Sequence, residues 1–318
     1  MDFTIVIPID FNYRSLDIIK KIIVLKNKVK DEDFKVILSC NSNPRLPIQI
    51  LKKIIEKTTN ICLINMEVEK GNLSKLRNNG IKHTKTKYIL FLDIDIYIDI
   101  PQIKNAFYVF QQSSTNLCMY PCLYLSKQGT KKISKLSIKQ FRQAYYGFRR
   151  DLILHLAFPS SIILTDLKSV QAIEGFDEQF IGHGYEDFDF LLRLFHYKGL
   201  IQYQPSLLID ETYLAPMMAT GFRAILAESQ LEQLLLEEYF LHIYHKKDKK
   251  SLFHQQRKTN QQRFKMKLKQ QINKYMTQID TTPPYLFRTF CKLLAHRKLN
   301  RTEYSALWAE IQGHKFRN

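Results

Sequence analysis

The stretch Tyr88-Ile-Leu-Phe-Leu-Asp93-Ile-Asp95-Ile-Tyr-Ile-Asp99 passes from an unbroken apolar run to carboxylates two positions apart. It reads as a buried strand running out into a site. In an extended chain side chains alternate, so Asp93 and Asp95 are expected on one side and Ile94 and Ile96 on the other. Paired carboxylates suit a hard divalent cation, Mg2+ or Mn2+, whose charge offsets their repulsion. Acids also cap strand ends and open helices, and Asp99, just before Ile100-Pro101, reads as a helix N-cap.

Around this stretch the chain alternates strand and helix. Residues 3 to 9 form an apolar strand, followed by a polar loop, Asp10 to Arg14, and an apolar helical pattern from Leu16 to Leu25. A strand at Phe34–Leu38 ends in the turn-rich Ser39-Cys-Asn41-Ser-Asn-Pro44. A helix with Ile48, Leu51, Ile54 and Ile55 on one face follows, then a short strand at Ile61–Ile64. This alternation predicts an α/β fold with a mostly parallel sheet flanked by helices, whose ligands bind beyond the carboxyl ends of the strands.

Upstream of the aspartates, Gly71-Asn-Leu-Ser74-Lys-Leu-Arg77-Asn78-Asn-Gly80 predicts a helix from about Asn72 to His83, with the two glycines as start and stop signals. Ser74, Arg77 and Asn78 share one face, either a guanidinium site for a diphosphate or an ordinary solvated surface. A second polar stretch runs Glu174-Gly175-Phe176-Asp177-Glu178-Gln-Phe180-Ile-Gly182-His183-Gly184-Tyr185-Glu186-Asp187-Phe-Asp189. Its end opens a helix with Phe188, Leu191, Leu192 and Phe195 on one face, closing at Gly199. The helix dipole favours acids in a first turn by about 0.3 to 1 kcal/mol each, which accounts for some of them but not for five around one loop. A carboxylate held there in a cleft is suited to removing a proton from a sugar hydroxyl.

Composition supports a chain with a full core, 318 residues at 45% hydrophobic content. The net charge of +18 is uneven: residues 246 to 318 carry 18 Lys and Arg against four Asp and Glu. Five cysteines without paired spacing read as reduced thiols, not a disulfide frame or a zinc site. The acidic second residue does not suit a signal peptide, and no apolar run reaches the roughly 20 residues of a membrane span. The expectation is a cytoplasmic protein, peripheral on the inner face of the cell membrane where it meets one.

Taken together, Ile5-Val-Ile-Pro8, the Ser74-x-x-Arg77-Asn78 segment, Phe91-Leu-Asp93-Ile-Asp95 and the Gly175-Phe-Asp-Glu to Glu186-Asp187-x-Asp189 block resemble, in order, the motifs of inverting GT-A glycosyltransferases of the family two type. The last block is similar to that of galactosyltransferases and bacterial chondroitin polymerases. The resemblance covers about the first 215 residues. It implies that Pro8, Asp10, Arg14, Ser39, Asn41, Arg77 and Asp93 line a nucleotide-sugar pocket, and that Asp95 with Asp93 holds Mn2+ or Mg2+. It further implies Asp187 as catalytic base, with Glu186, Gly175, Phe176 and His183 on the acceptor side. The sequence departs from the pattern in three places. The loop at Ser39 lacks acids, His183 stands where galactosyltransferases have Trp, and a further metal ligand is missing from Leu207 to Glu228, leaving Asp210, Met217 and His242 as candidates.

The expected organisation is a catalytic domain over residues 1–225 and a basic helical region over 226–318. In that region an amphipathic helix is predicted over Leu226–Leu241, a long basic helix over Ser251–Ile279 broken by Pro283-Pro284, and two shorter helices, Tyr285–Leu299 and Thr302–Gln312. Its charge suits an anionic membrane surface or polysaccharide-synthesis proteins, or else a solvated face of helices packed on the core; no nucleic-acid motif accompanies it. The function implied is transfer of a hexosyl or N-acetylhexosaminyl group from a UDP-sugar to a growing glycan of the capsule or lipopolysaccharide type. The alternative is a non-catalytic scaffold that binds nucleotide-sugar or glycan.

Overall fold

The computed structural model describes the chain except for residues 212–214, 247–251, 273–278, 283 and 310–318. The first half alternates as expected: β1 (Phe3–Ile9), α1 (Ser15–Val29), β2 (Lys35–Asn41), α2 (Arg45–Ile55), β3 (Ile61–Met66), α3 (Leu73–His83), β4 (Tyr88–Phe91), α4 (Ile100–Gln111) and β5 (Leu117–Met119). Then come β6 (Cys122–Leu125), α5 (Lys127–Lys131), α6 (Ile138–Tyr146), β7 (Ile153–Ala157), β8 (Ile163–Asp166), α7 (Leu167–Ala172) and α8 (Glu186–Tyr197). Later elements are α9 (Gly221–Glu228), β9 (Phe240–His242), α10 (Leu252–Gln255), α11 (Arg257–Gln271) and α12 (Tyr285–His296), followed by a 3-10 helix over Arg301–Leu307 where a short α-helix is expected.

Contacts divide these elements into two units that are discontinuous in sequence and do not separate at residue 225. One comprises residues 1–119, 161–201 and 245–267, the other residues 120–160, 202–244 and 268 onwards. Part of the region expected to be an appendage therefore belongs to the unit that holds the central sheet.

That sheet has six strands in the order β3-β2-β1-β4-β8-β5. The first four are parallel, and β8 runs antiparallel to both β4 and β5. All seven residues of β1 are buried, which is what a central parallel strand covered on both faces requires. On one side α1 buries Ile18, Ile22, Leu25 and Val29, and the rings of Phe3, Phe34 and Phe107 stack at centroid distances of 4.6 to 5.0 Å. Asp99 caps α4 by accepting from the Gln102 amide at 3.0 Å, as its position before Ile100-Pro101 predicts.

The other unit is built on a three-stranded sheet, β7-β6-β9, with β7 antiparallel and β9 parallel to β6. Across it the ring of Tyr124 stacks between His155 and His242, at 4.3 and 4.1 Å. Residues 126–157, which carry no clear periodicity, are organised by local capping: Ser126 caps α5, and Ser137 with Gln140 forms a capping box at the start of α6. The amphipathic helix expected over 226–241 is not formed. α9 ends at Glu228, a 3-10 turn covers Leu231–Leu234, and the buried run Phe240–His242 is a strand. Of the long basic helix, α10 and α11 are observed, ending at Gln271; residues 251 and 273–278, Pro283 and residues 310–312 lie outside the described residues. All five cysteines are free thiols, and among the described residues no helix is long and apolar enough to cross a membrane.

Gly80 is not a stop signal but an interior residue of α3, where the helix crosses β1. A Cβ there would sit 2.4 Å from Val6 Cγ1. Gly80→Ala should gain about 0.5–1 kcal/mol of helix propensity but lose about 1–3 kcal/mol to overpacking, a net destabilisation. Urea unfolding of the variant checks this; an unchanged or raised midpoint would mean that α3 can lift from β1 without cost.

Candidate active site

The sheet ends at Phe91, and the backbone then turns, with the Ile96 amide donating to the Asp93 carbonyl at 3.0 Å. Asp93 and Asp95 therefore do not share one side of an extended strand; the turn sends them to different partners. Alternation holds only while φ and ψ stay extended, and the single apolar residue between the two acids does not reveal where that stops.

Asp95 is buried among cations. Arg14 grips it with both terminal nitrogens, Nη1 to Oδ1 at 3.0 Å and Nη2 to Oδ2 at 2.6 Å. Lys21 Nζ donates to Oδ1 at 2.5 Å, and His245 Nε2 lies 3.4 Å from Oδ2. Burial works against ionisation here, but the Arg14 hydrogen bonds and the nearby charges of Arg14 and Lys21 outweigh it and hold the carboxyl well below the usual carboxylate range. Burial lowers the His245 pKa, Asp95 opposes this, and Arg14 and Lys21 add to it, so the imidazole favours its neutral, metal-competent form. A carboxylate oxygen facing an imidazole nitrogen at this separation is a donor set that fits Mn2+ better than Mg2+, which prefers oxygen alone. A cation there has to displace Lys21 or Arg14, since both carboxylate oxygens are engaged. Neither Lys21 nor His245 was expected. Lys21 shares a helical face with Asp17 (2.7 Å), which is legible, but nothing in the sequence ties that face to Asp95.

Arg77 is the centre of a second cluster. Its side chain is 4% exposed and reaches Asp93 at 3.0 Å, Asp187 at 3.4 Å and Glu186 at 3.5 Å. Its ring-facing side lies 5.0 Å from the centroid of Phe176. Burial disfavours the guanidinium charge, but Asp187, Asp93 and Glu186 more than restore it. Three acids to one cation leave an excess of negative charge, and it is relieved by protons. Burial pushes the Asp187 carboxyl up to about 8, against the pull of Arg77 and with the help of Glu186 and Asp93. Glu186 is raised as well, burial being the main cause, and its buried Oε2 has no hydrogen-bond partner among the described residues. Asp187 keeps 27% of its side chain exposed and Asp93 35%, so these two acids open outward while Arg77 and Glu186 support them from beneath.

The remaining expected residues divide into scaffold and surface. Asp10 accepts from the Gly71 amide at 2.7 Å and from the Asn12 backbone and side chain, joining the end of β1 to the start of α3. Pro8 is buried within β1, opposite Ser39 in β2. Ser39 accepts from Asn79 at 3.3 Å, and Asn41 is buried and bonded to the backbone of Asn43 and Val68. Phe176, expected on the acceptor side, is a core residue, 2% exposed and stacked on Phe190 at 4.0 Å and 5°. The rings of Phe91 and Phe190 and the Arg77 guanidinium enclose it. Gly175 sits in the left-handed region, where a Cβ would meet Asn78 Oδ1 at 2.4 Å. Asn78 uses both ends of its amide on Phe176, accepting from its N–H and donating to its C=O, each at 2.8 Å. It also donates to Glu178 at 2.9 Å. The polar face of α3 is therefore neither solvated nor open to a diphosphate; it anchors the acidic loop. His183 is partly exposed, on the loop just before α8. Of the candidates for a further metal ligand, Asp210 is engaged by Arg223 and Met217 is buried.

The model of the family described as glycosyltransferase like family 2 matches residues 4–270. The chain belongs to this family. Among curated relatives of this glycosyltransferase-like chain, a poly(ribitol-phosphate) beta-glucosyltransferase of Bacillus spizizenii is 25% identical over 134 residues, 42% of this chain and 21% of the relative. Among solved structures, it is similar to residues 1–349 of TarS from S. aureus, with a TM-score of 0.42 and 17% identity over 61% of this chain and 55% of that one. For the same TarS fragment in complex with UDP-GlcNAc the TM-score is 0.41 at 17% identity, over 62% and 54%. The chain thus spans about a fifth of the curated relative and about half of the TarS fragment.

Removing the cation from the acid cluster tests this description. Arg77→Leu should lower stability by roughly 3–5 kcal/mol, the cost of stranding buried carboxylates. With Arg77 gone the acids bind protons more readily in the folded state, so the deficit should be largest above about pH 8, where Asp187 ionises, and shrink towards pH 5. Urea midpoints at the two pH values measure it; a deficit independent of pH would mean that the loss is one of packing alone.

Proposed function

We propose that the chain is an inverting glycosyltransferase that moves a hexosyl or N-acetylhexosaminyl group from a UDP-sugar to a growing cell-surface glycan. The observation that carries this reading is the partly exposed Asp187 carboxyl at the start of α8, linked through Arg77 to Asp93 on the turn that also bears Asp95. Family membership supports glycosyl transfer, and the named activity of the Bacillus relative supports a surface polymer as acceptor.

Asp187 takes the proton of the acceptor hydroxyl, whose oxygen forms a bond to the anomeric carbon. The bond from that carbon to the diphosphate oxygen breaks with its electron pair, and the nucleoside diphosphate departs from the opposite face. A base raised by burial accepts a proton readily, and Arg77 keeps the carboxylate from swinging away. On the donor side Arg14 and Lys21 carry positive charge beside Asp95. When bound, Mn2+ supplies positive charge to the departing diphosphate, and Asp95 with His245 would hold it. Because both Asp95 oxygens are engaged by Arg14 and Lys21, a second reading is that these two cations neutralise the diphosphate without a metal. The exposed lysines of α11 and the charge of α12 are compatible with a peripheral contact at an anionic membrane surface.

Two measurements check the proposal. Asp187→Asn should leave UDP affinity unchanged and lower transfer by about 10²–10⁴-fold, while the parent's kcat/KM for acceptor should rise with pH to a plateau above about 8, since the base must be ionised. Full transfer by Asp187→Asn would remove the base assignment, and turnover-free donor binding by the parent would favour the scaffold. In calorimetry, Mn2+ should tighten UDP binding to the parent and have no effect on Asp95→Ala. UDP affinity indifferent to Mn2+ in both would favour the reading through Arg14 and Lys21.

A further inference from the structure

Strands β1, β2 and β3 lie side by side and parallel, so the two connections that join them run over the same face of the sheet. Helices α1 and α2 are those connections, and they pack against each other. Each turns one stripe inward: Ile18, Ile22, Leu25 and Val29 on α1, and Pro47, Ile48, Leu51 and Ile55 on α2. The opposite stripe of such a helix is ordinarily polar. Here it carries Leu16, Ile23 and Val24 on α1 and Leu46 and Ile50 on α2, all exposed, Leu16 at 77% and Leu46 at 66%. Scattered singly they would need no explanation, but on two adjoining helices they make a patch.

The charge around this patch is of one sign. Lys20 follows Leu16 by one turn on the outward side of α1, Lys53 shares the outward side of α2, and Arg45 and Lys52 flank it. All four are exposed and form no salt bridge among the described residues. The only acid within either helix is Asp17, and Arg14 and Lys21 hold it at 3.1 and 2.7 Å. A second copy of the chain docked on the same patch would set these cations against their counterparts, so the patch does not suit a self-complementary dimer. Protein-binding patches are rich in aromatic residues and poor in lysine. Leucine, isoleucine and valine bordered by lysine, with no aromatic ring among them, instead match helices lying in the headgroup layer of an anionic bilayer. The two most exposed leucines fall in the first turns of α1 and α2, at the carboxyl edge of the parallel strands, and Leu16 is two residues from Arg14, which grips Asp95.

We infer that α1 and α2 seat the chain on an anionic lipid surface, with Leu16 and Leu46 at the acyl boundary and the lysines on the headgroup phosphates. The contact borders the edge of the sheet that carries Asp95. It takes the place of α11 and α12 as the membrane face, and it holds whether or not the chain transfers a sugar. The test is co-sedimentation of the full chain with vesicles of phosphatidylcholine alone or mixed with phosphatidylglycerol. The parent should bind the mixed vesicles at least about tenfold more tightly than the neutral ones. Leu16→Ser combined with Leu46→Ser should lose about tenfold of that affinity. Lys20→Gln combined with Lys53→Gln should lose about tenfold on the mixed vesicles only, whereas Lys258→Gln combined with Lys269→Gln, an equal loss of charge from exposed positions of α11, should stay within about threefold of the parent. Urea midpoints report that the variants fold. A parent that ignores the mixed vesicles, or a leucine variant that binds them as the parent does, would overturn the inference. So would equal losses from the two lysine pairs, which would mark binding by net charge alone, and a parent dimer that the leucine substitutions dissociate, which would assign the patch to a second copy.

Discussion

A single buried guanidinium ties the site together. Arg77 comes from α3, Asp93 from the turn after β4, and Glu186 and Asp187 from the first turn of α8, segments separated by up to 110 positions. No backbone hydrogen bond could hold three such termini in register. A planar cation with five donors can, because it presents charge in several directions at once, where an ammonium would favour one partner. The arrangement is costly in isolation, since Arg77 is taken fully out of water, and it is stable only while the acids stay close. That mutual dependence fixes the position of Asp187 to the packing of α3 on β1, where Gly80 brings the helix against Val6.

The same logic explains why Asp187 is unusual as a carboxyl. Three acids around one cation cannot all ionise cheaply out of water, and the imbalance is taken up where exposure is intermediate. Asp95 shows the opposite case: it is more deeply buried but outnumbered by cations, and so it stays ionised. Two carboxylates on neighbouring chemistry are thus pushed in opposite directions by their surroundings, one towards proton exchange and one towards holding positive charge. This division of labour follows from counting partners, not from the identity of the residues, which are both Asp.

How much of this could be read from the sequence follows from the range of the interactions concerned. The parallel sheet was legible because strand and helix periodicities are local, and so was the cap at Asp99, whose side chain bonds an amide three residues on; Asn72 caps α3 in the same way, at a start that the glycine pattern places at Gly71. The motifs around Asp93, Asp95 and Asp187 located the acids. What they touch was not legible. Arg77 reads as a ligand for a diphosphate because a positive charge on a polar helix face looks free until α8 arrives from a hundred residues away. Phe176 reads as exposed because its enclosure by Phe91, Phe190 and Arg77 has no local signature. His245 and Lys21 carry no motif at all. The helix predicted over 226–241 failed for a related reason: a list of leucines fits a 3.6-residue period loosely, and the buried Tyr239-Phe240-Leu241 run satisfies a strand better.

The basic carboxyl-terminal region gives the clearest case of composition misdirecting an inference about place. Its excess charge suggests a surface, yet α11 turns Asn260 and Phe264 inward, and Lys267 neutralises two acids of the Glu174–Asp189 block. Asp177 and Asp189 each gain a cation they could not find nearby in sequence. With those acids neutralised from outside, Arg77 is left to serve only the outward-facing pair and Glu186. The lysines and arginines of this helix thus fall into two classes, those that complete the charge balance of the acid-rich loop and those left unbalanced along its exposed side. Only the second class is available to a ligand, and a count of basic residues cannot separate the two without the carboxylates they meet.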